Sequence, residues 1–164
     1  TFFVSASIVK WELSSEISGY FWSTFGFICI FGAFIFGAIA DKFGTFKTII
    51  LVFAFQAFSQ FILIFDTPSY VLFISILFFA ISVWSVPTMI AMLCTEFFGL
   101  NKTAQVFSLV TLIFAIGQAL GPVAAGYIYD LTNSYDNVFL VAFLFCFTAF
   151  NITVTVTGSS RLTG

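Results

Sequence analysis

The sequence predicts an all-α membrane protein with five complete transmembrane helices and the end of a sixth. Two observations carry this. Apolar residues form 61% of the 164-residue chain and charged residues only 7%, against about 25% charged in a soluble domain. Every charged residue also falls in one of six short gaps, and the uncharged runs between them are long enough to cross a bilayer. In lipid only helices and closed barrels satisfy their backbone, and barrel strands are about half as long as these runs.

The elements follow from the gaps. Residues 1–9 form the first apolar run, about 13 Å long as a helix at 1.5 Å per residue. A span needs about 20 residues, so this run reads as the end of a truncated helix. No basic segment precedes it, which argues against a signal peptide. Spans are then expected at residues 17–40, between Glu16 and Asp41, and at 48–65, between Lys47 and Asp66. Three more follow at 67–95, closed by Glu96, at 103–129, between Lys102 and Asp130, and at 137–160, between Asp136 and Arg161.

The gaps alternate sides, and their charges assign the sides. One set holds Lys42, Lys47, Lys102 and Arg161; the other holds only Lys10 among Glu12, Glu16, Asp66, Asp130 and Asp136. The first set is therefore expected in the cytoplasm, together with the C-terminus. The Asn101-Lys102-Thr103 sequon falls on that side and reads as chance.

Several functions are disfavoured. There is no histidine, no paired intramembrane carboxylate and no Gly-x-Ser-x-Gly turn, so an enzyme is not expected. No cofactor or metal is expected either: Cys29, Cys94 and Cys146 lie inside apolar runs without Cys-x-x-Cys spacing. Without a Lys/Arg cluster, a nucleic-acid partner is not expected. The 27 phenylalanines read as packing and lipid-facing bulk.

Two motifs stand out. The first is Gly37-x-x-x-Asp41-Lys42-x-Gly44-x-x-Lys47. Gly37 would let two helices approach closely. Asp41 would meet the positive start of the following helix, and Gly44 would permit a tight turn. The second is Gly117-Gln118-Ala119-Leu120-Gly121-Pro122 with Gly126 beyond it. Gly117 and Gly121 make a small-residue packing face, and Pro122 cannot donate to the Gln118 carbonyl, so a kink is expected there.

The first motif resembles the cytoplasmic loop signature of the major facilitator superfamily, with Thr45 and Phe46 where basic residues are usual. The second resembles the eleventh helix of many such transporters and the loop after it. With Trp22, the two motifs are most similar to the bacterial YbfB/YjiJ-type subgroup. The resemblance implies the C-terminal six-helix half of a twelve-helix transporter, running from the end of helix 7 through helix 12. The implied partners are the N-terminal half of the same transporter, a small solute and the lipid bilayer. The implied location is the cytoplasmic (inner) membrane.

Polar residues inside the spans have two readings. Gln105, Ser108, Thr111 and Gln118 share one face of the 103–129 helix, and Ser75, Ser82, Ser85 and Met89 share one face of the 67–95 helix. Such residues serve either as interhelical glue or as the lining of a solute path. The resemblance favours a path lined by Ser82, Ser85, Met89, Ser108, Thr111 and Gln118, because helices 10 and 11 face the superfamily's central cavity. Gln56, Gln60 and Asn151 are expected to be glue. The alternative to a transporter half is a half-size membrane protein that homodimerises or acts as a scaffold.

Overall fold

The computed structural model describes residues 2–65 and 68–160. The expectations at Asp66 and Arg161 lie outside these residues. The described residues form helices and short connections: α1 (Phe2–Val9), α2 (Ser15–Phe43), α3 (Thr45–Phe61), α4 (Ser69–Val83), α5 (Ser85–Phe98), α6 (Leu100–Thr132) and α7 (Tyr135–Ser160). Four segments are long and apolar enough to cross a membrane: Ser15–Phe43, Ser69–Phe98, Leu100–Thr132 and Tyr135–Thr157. Helix α3 is apolar and 17 residues long, about 26 Å at 1.5 Å per residue, the short end of what spans a bilayer.

Helix ends sit where local chemistry stops them. The Ser14 side chain caps α2 by accepting a hydrogen bond from the Ile17 N–H at 3.3 Å. Gly44 ends α2 and begins α3 at φ +90°, and Gly99 does the same between α5 and α6 at φ +73°. Both values lie in the region that favours glycine. Asn133 closes α6 in the left-handed conformation.

The segment expected as one helix over 67–95 is divided at Trp84. Pro87 explains the division: it has no N–H for the Val83 carbonyl, and its ring crowds that carbonyl. By contrast, α6 continues as a single helix through Pro122.

Packing is uneven. Helix α2 lies along α4, and α3 lies along both α7 and α4. One core cluster gathers Ala6, Phe21, Leu63, Leu72, Ile76, Tyr135 and Phe139. A second, toward Gly44, gathers Phe36, Ala40, Ile49, Val52, Val86 and Met89. Buried serines join α3 to α4: Ser75 Oγ donates to the Ser59 carbonyl at 2.9 Å, and the two hydroxyls lie 3.0 Å apart. Gln56 Nε2 donates to the Ser82 carbonyl at 3.4 Å, so Gln56 acts as glue, and Gln60 is buried. Asn151 instead donates to the Phe147 carbonyl of its own exposed helix face.

Helix α6 stands apart. None of its 33 residues is buried, and it lies chiefly against α5 and α7, with Tyr129 half-buried against the first core cluster.

Candidate functional site

Three regions bear on function: the glycine turns at one end of the bundle, a clamp at the other end, and the open face of α5 and α6.

At the first end, the two turns have the same construction. Residues 43–48 read Phe-Gly-Thr-Phe-Lys-Thr, and residues 98–103 read Phe-Gly-Leu-Asn-Lys-Thr. In each, the glycine N–H donates to the carbonyl four residues back, Ala40 or Thr95. In each, the closing threonine donates from both N–H and Oγ1 to the glycine carbonyl. The Phe-Gly-x-x-Lys-Thr string shared by the two turns is the sequence signal of the second copy. The turns also touch. Thr45 Oγ1 donates to the Glu96 carboxylate, and the Phe46 and Phe97 rings meet edge to face at 5.5 Å.

This geometry corrects two expectations for the first motif. Asp41 does not begin the next helix: α2 continues through Asp41 and Lys42 to Phe43, because the break comes only at Gly44. Asp41 thus lies in the last turn of α2, exposed, and pairs with neither Lys42 nor Lys47 among the described residues. Lys42 lies over the Phe43 ring at 5.3 Å instead. Gly37 makes no close approach: a Cβ there would meet nothing within 4 Å. The close approach is at Gly32, where a Cβ would fall 2.2 Å from the Ile81 carbonyl oxygen of α4. Gly44 does make the tight turn.

At the opposite end, Lys10 forms a clamp. Its Nζ donates to the Leu63 carbonyl at 2.9 Å, to the Phe65 carbonyl at 3.1 Å and to the Asp136 carboxylate. The Lys10 side chain is only 12% exposed, so these three oxygens take the place of water around its ammonium. The clamp fastens the end of α1 to the end of α3 and the start of α7.

The third region divides the expected path residues. Ser82, Ser85 and Met89 are fully buried against the chain's own core and do not line an open path. Ser82 Oγ donates to the Phe78 carbonyl at 2.7 Å, and Ser85 Oγ donates to the Ile81 carbonyl at 3.1 Å. Helical spacing is the physical reason: Ser82 and Ser85 lie on the same face as buried Ser75 and Met89, which packs inward, and Trp84 lies outward, 53% exposed. Ser108, Thr111 and Gln118 lie on the exposed face of α6. The Ser108 and Thr111 hydroxyls donate to the carbonyls four residues back, at 2.6 and 2.7 Å, which leaves only their acceptor lone pairs free.

The small-residue face of α6 is also open. A Cβ at Gly117 or Gly121 would meet nothing within 4 Å. Gly121 borders a recess of about 210 Å³ between α6 and α7, lined also by Ala124, Ala125, Val138 and Val141. Among the described residues, therefore, no neighbour packs closely on Gly117 or Gly121, and α7 lies mainly along α3. Gly126 is half-buried and Pro122 exposed.

No curated protein and no solved structure matches the chain. The sequence model of the family described as "Uncharacterised MFS-type transporter YbfB" matches residues 1–154. That match covers nearly the whole sequence, and it agrees with the apolar helices and the paired charged turns. The chain belongs to the YbfB-type family of major facilitator superfamily transporters and is a multi-pass membrane protein.

Proposed function

We propose that this chain is the C-terminal half of a twelve-helix secondary transporter that moves a small solute across the cytoplasmic membrane by alternating access. The N-terminal six-helix half is its partner, and the solute site lies between the two. In this reading α1 is the end of helix 7, α2 and α3 are helices 8 and 9, α4 with α5 is helix 10, and α6 and α7 are helices 11 and 12. The lysine-bearing turns and the C-terminus face the cytoplasm, by the charge asymmetry of the gaps.

The open face of α6 carries the proposal. A helix of 33 residues with none buried, bearing glycines, a proline, Gln118 and two hydroxyls on its exposed side, fits a surface that another bundle and a wet solute path would cover. Asp41, Lys42 and Lys47, exposed at the turn, would help hold the cytoplasmic side in one access state. Gly117, Gly121 and Gly126 would let helices of the other half approach.

Cysteine cross-linking in the full-length protein tests the arrangement. With Gly117→Cys on α6 and a cysteine scan of the N-terminal half, disulfides should form within one molecule. The same open face would also suit a second copy. Disulfides formed only between molecules would replace the transporter half with the homodimer.

A further inference from the structure

Beside the Gly44 turn, a groove of about 470 Å³ runs between α2 and α3. Ile39 and Phe43 of α2 wall one side, and Lys47, Ile50, Leu51 and Ala54 of α3 wall the other. The α3 residues recur at steps of three, one and three, so they form one face of that helix. Lys47 stands at the turn, and the three apolar residues follow it toward the membrane interior. From Lys47 to Ala54 the helix rises about 10 Å at 1.5 Å per residue, and the hydrocarbon of one leaflet is about 15 Å deep. The groove thus joins headgroup level to the acyl chains of the same leaflet. Its mouth is charged. Lys47 is exposed and has no hydrogen bond or ion pair among the described residues. Lys42 lies over the ring of Phe43, which walls the groove, so a second ammonium stands close by. Among the described residues no carboxylate lines the groove. Asp41 is two residues from both Ile39 and Phe43, on the other side of α2, and the Glu96 carboxylate is held by the Thr45 hydroxyl.

We propose that this groove is a site for an anionic phospholipid of the leaflet that meets the glycine turns, with its phosphate at Lys47 and one acyl chain along Ile50, Leu51 and Ala54. The inference stands apart from the transport reading and needs only that the chain spans a membrane. Two features select the occupant. The inner part of the groove is apolar and lies at hydrocarbon depth, where acyl chains are the solvent. The mouth carries an unpaired ammonium at headgroup level, where each lysine favours an anionic lipid about fivefold. A soluble anion would meet Lys47 but leave the apolar part unfilled. A zwitterionic lipid would fill the apolar part but bring its own cation to Lys47.

Photolabelling of the full-length protein in phosphatidylcholine nanodiscs tests this. The probes are phosphatidylglycerol and phosphatidylcholine, each with the same diazirine-bearing acyl chain. At equal density the phosphatidylglycerol probe should label residues 50–54 about fivefold more than the phosphatidylcholine probe. Lys47→Gln should lower that ratio about fivefold, and Lys47→Arg, which keeps the charge, should retain it. Unlabelled phosphatidylglycerol should compete and inorganic phosphate should not. Raising the salt concentration should lower the ratio in the unmodified protein, because exposed charges are screened. This last readout decides the matter even if the Lys47 variants do not fold.

Equal labelling by the two probes would mean that bulk lipid fills the groove without selection, and would overturn the site. A preference that survives Lys47→Gln in folded protein, or that ignores salt, would overturn the role given to Lys47. No label at residues 50–54 would mean that protein covers the groove, and would overturn the site as well. Competition by inorganic phosphate would replace the lipid with a soluble anion.

Discussion

Glycine and lysine act here in ways that depend on what each one touches. At Gly32, any side chain would strike the Ile81 backbone, and a backbone cannot swing aside as a side chain tip can. Gly32→Ala should therefore destabilise the protein by about 1–3 kcal/mol, the usual cost of overpacking. In the isolated chain Gly121→Ala should be neutral or stabilise by up to about 1 kcal/mol, because the site is open and alanine is the better helix former. Reversible unfolding in mixed micelles would compare the two; an equal loss at both sites would contradict the crossing point assigned to Gly32. At Lys10, replacement by methionine removes a charged donor from two carbonyls and a carboxylate. A loss of about 2 kcal/mol is expected. Adding Asp136→Asn should then cost less than it does alone, because the pair is already broken. Strict additivity would argue that Lys10 and Asp136 are not coupled.

The break between α4 and α5 belongs to the scale of elements. It falls at Trp84, between the buried Ser82 and Ser85. Pro87→Ala restores the donor to the Val83 carbonyl and should heal the helix. Amide exchange at Trp84 and Ser85 should slow about tenfold, as one recovered hydrogen bond implies. Unchanged exchange would mean that something other than Pro87 holds the break. The same scale shows what the sequence could reveal. Charges confined to gaps exposed the spanning segments, and Gly44 was legible as a turn because a glycine beside charges at a helix end has few other roles. The inward face of each helix was hidden. A membrane interior and the lipid around it are both apolar, so no apolar stripe marks the packed side of α2, and on α4 the buried Ser75 and Ser82 have a spacing that fits a solute path equally well. For this reason the sequence does not separate Gly37 from Gly32, which makes the close contact, nor a path-lining role for Ser82, Ser85 and Met89 from the buried one they have. The Lys10 clamp joins residues 126 positions apart, and no local pattern announces such a pair.

For the whole molecule, α6 divides what this chain completes by itself from what it leaves open. Helices α2 to α5 and α7 share two cores, whereas α6 has no fully buried residue. The family match gives a transporter; the open face fits one whose working cavity is shared with another bundle. Sidedness can be checked in intact cells with a membrane-impermeant thiol reagent. Ser134→Cys should react from outside and Lys47→Cys only after the membrane is opened. The opposite pattern would invert the proposed topology. The most direct test of the central claim is solute counterflow in proteoliposomes, with the full-length protein beside the 164-residue chain alone. The panel should span uncharged, anionic and cationic small solutes. Saturable counterflow of at least one solute is predicted for the full-length protein and none for the chain alone. Equal saturable counterflow by the chain alone, or none by correctly folded full-length protein, would contradict the account.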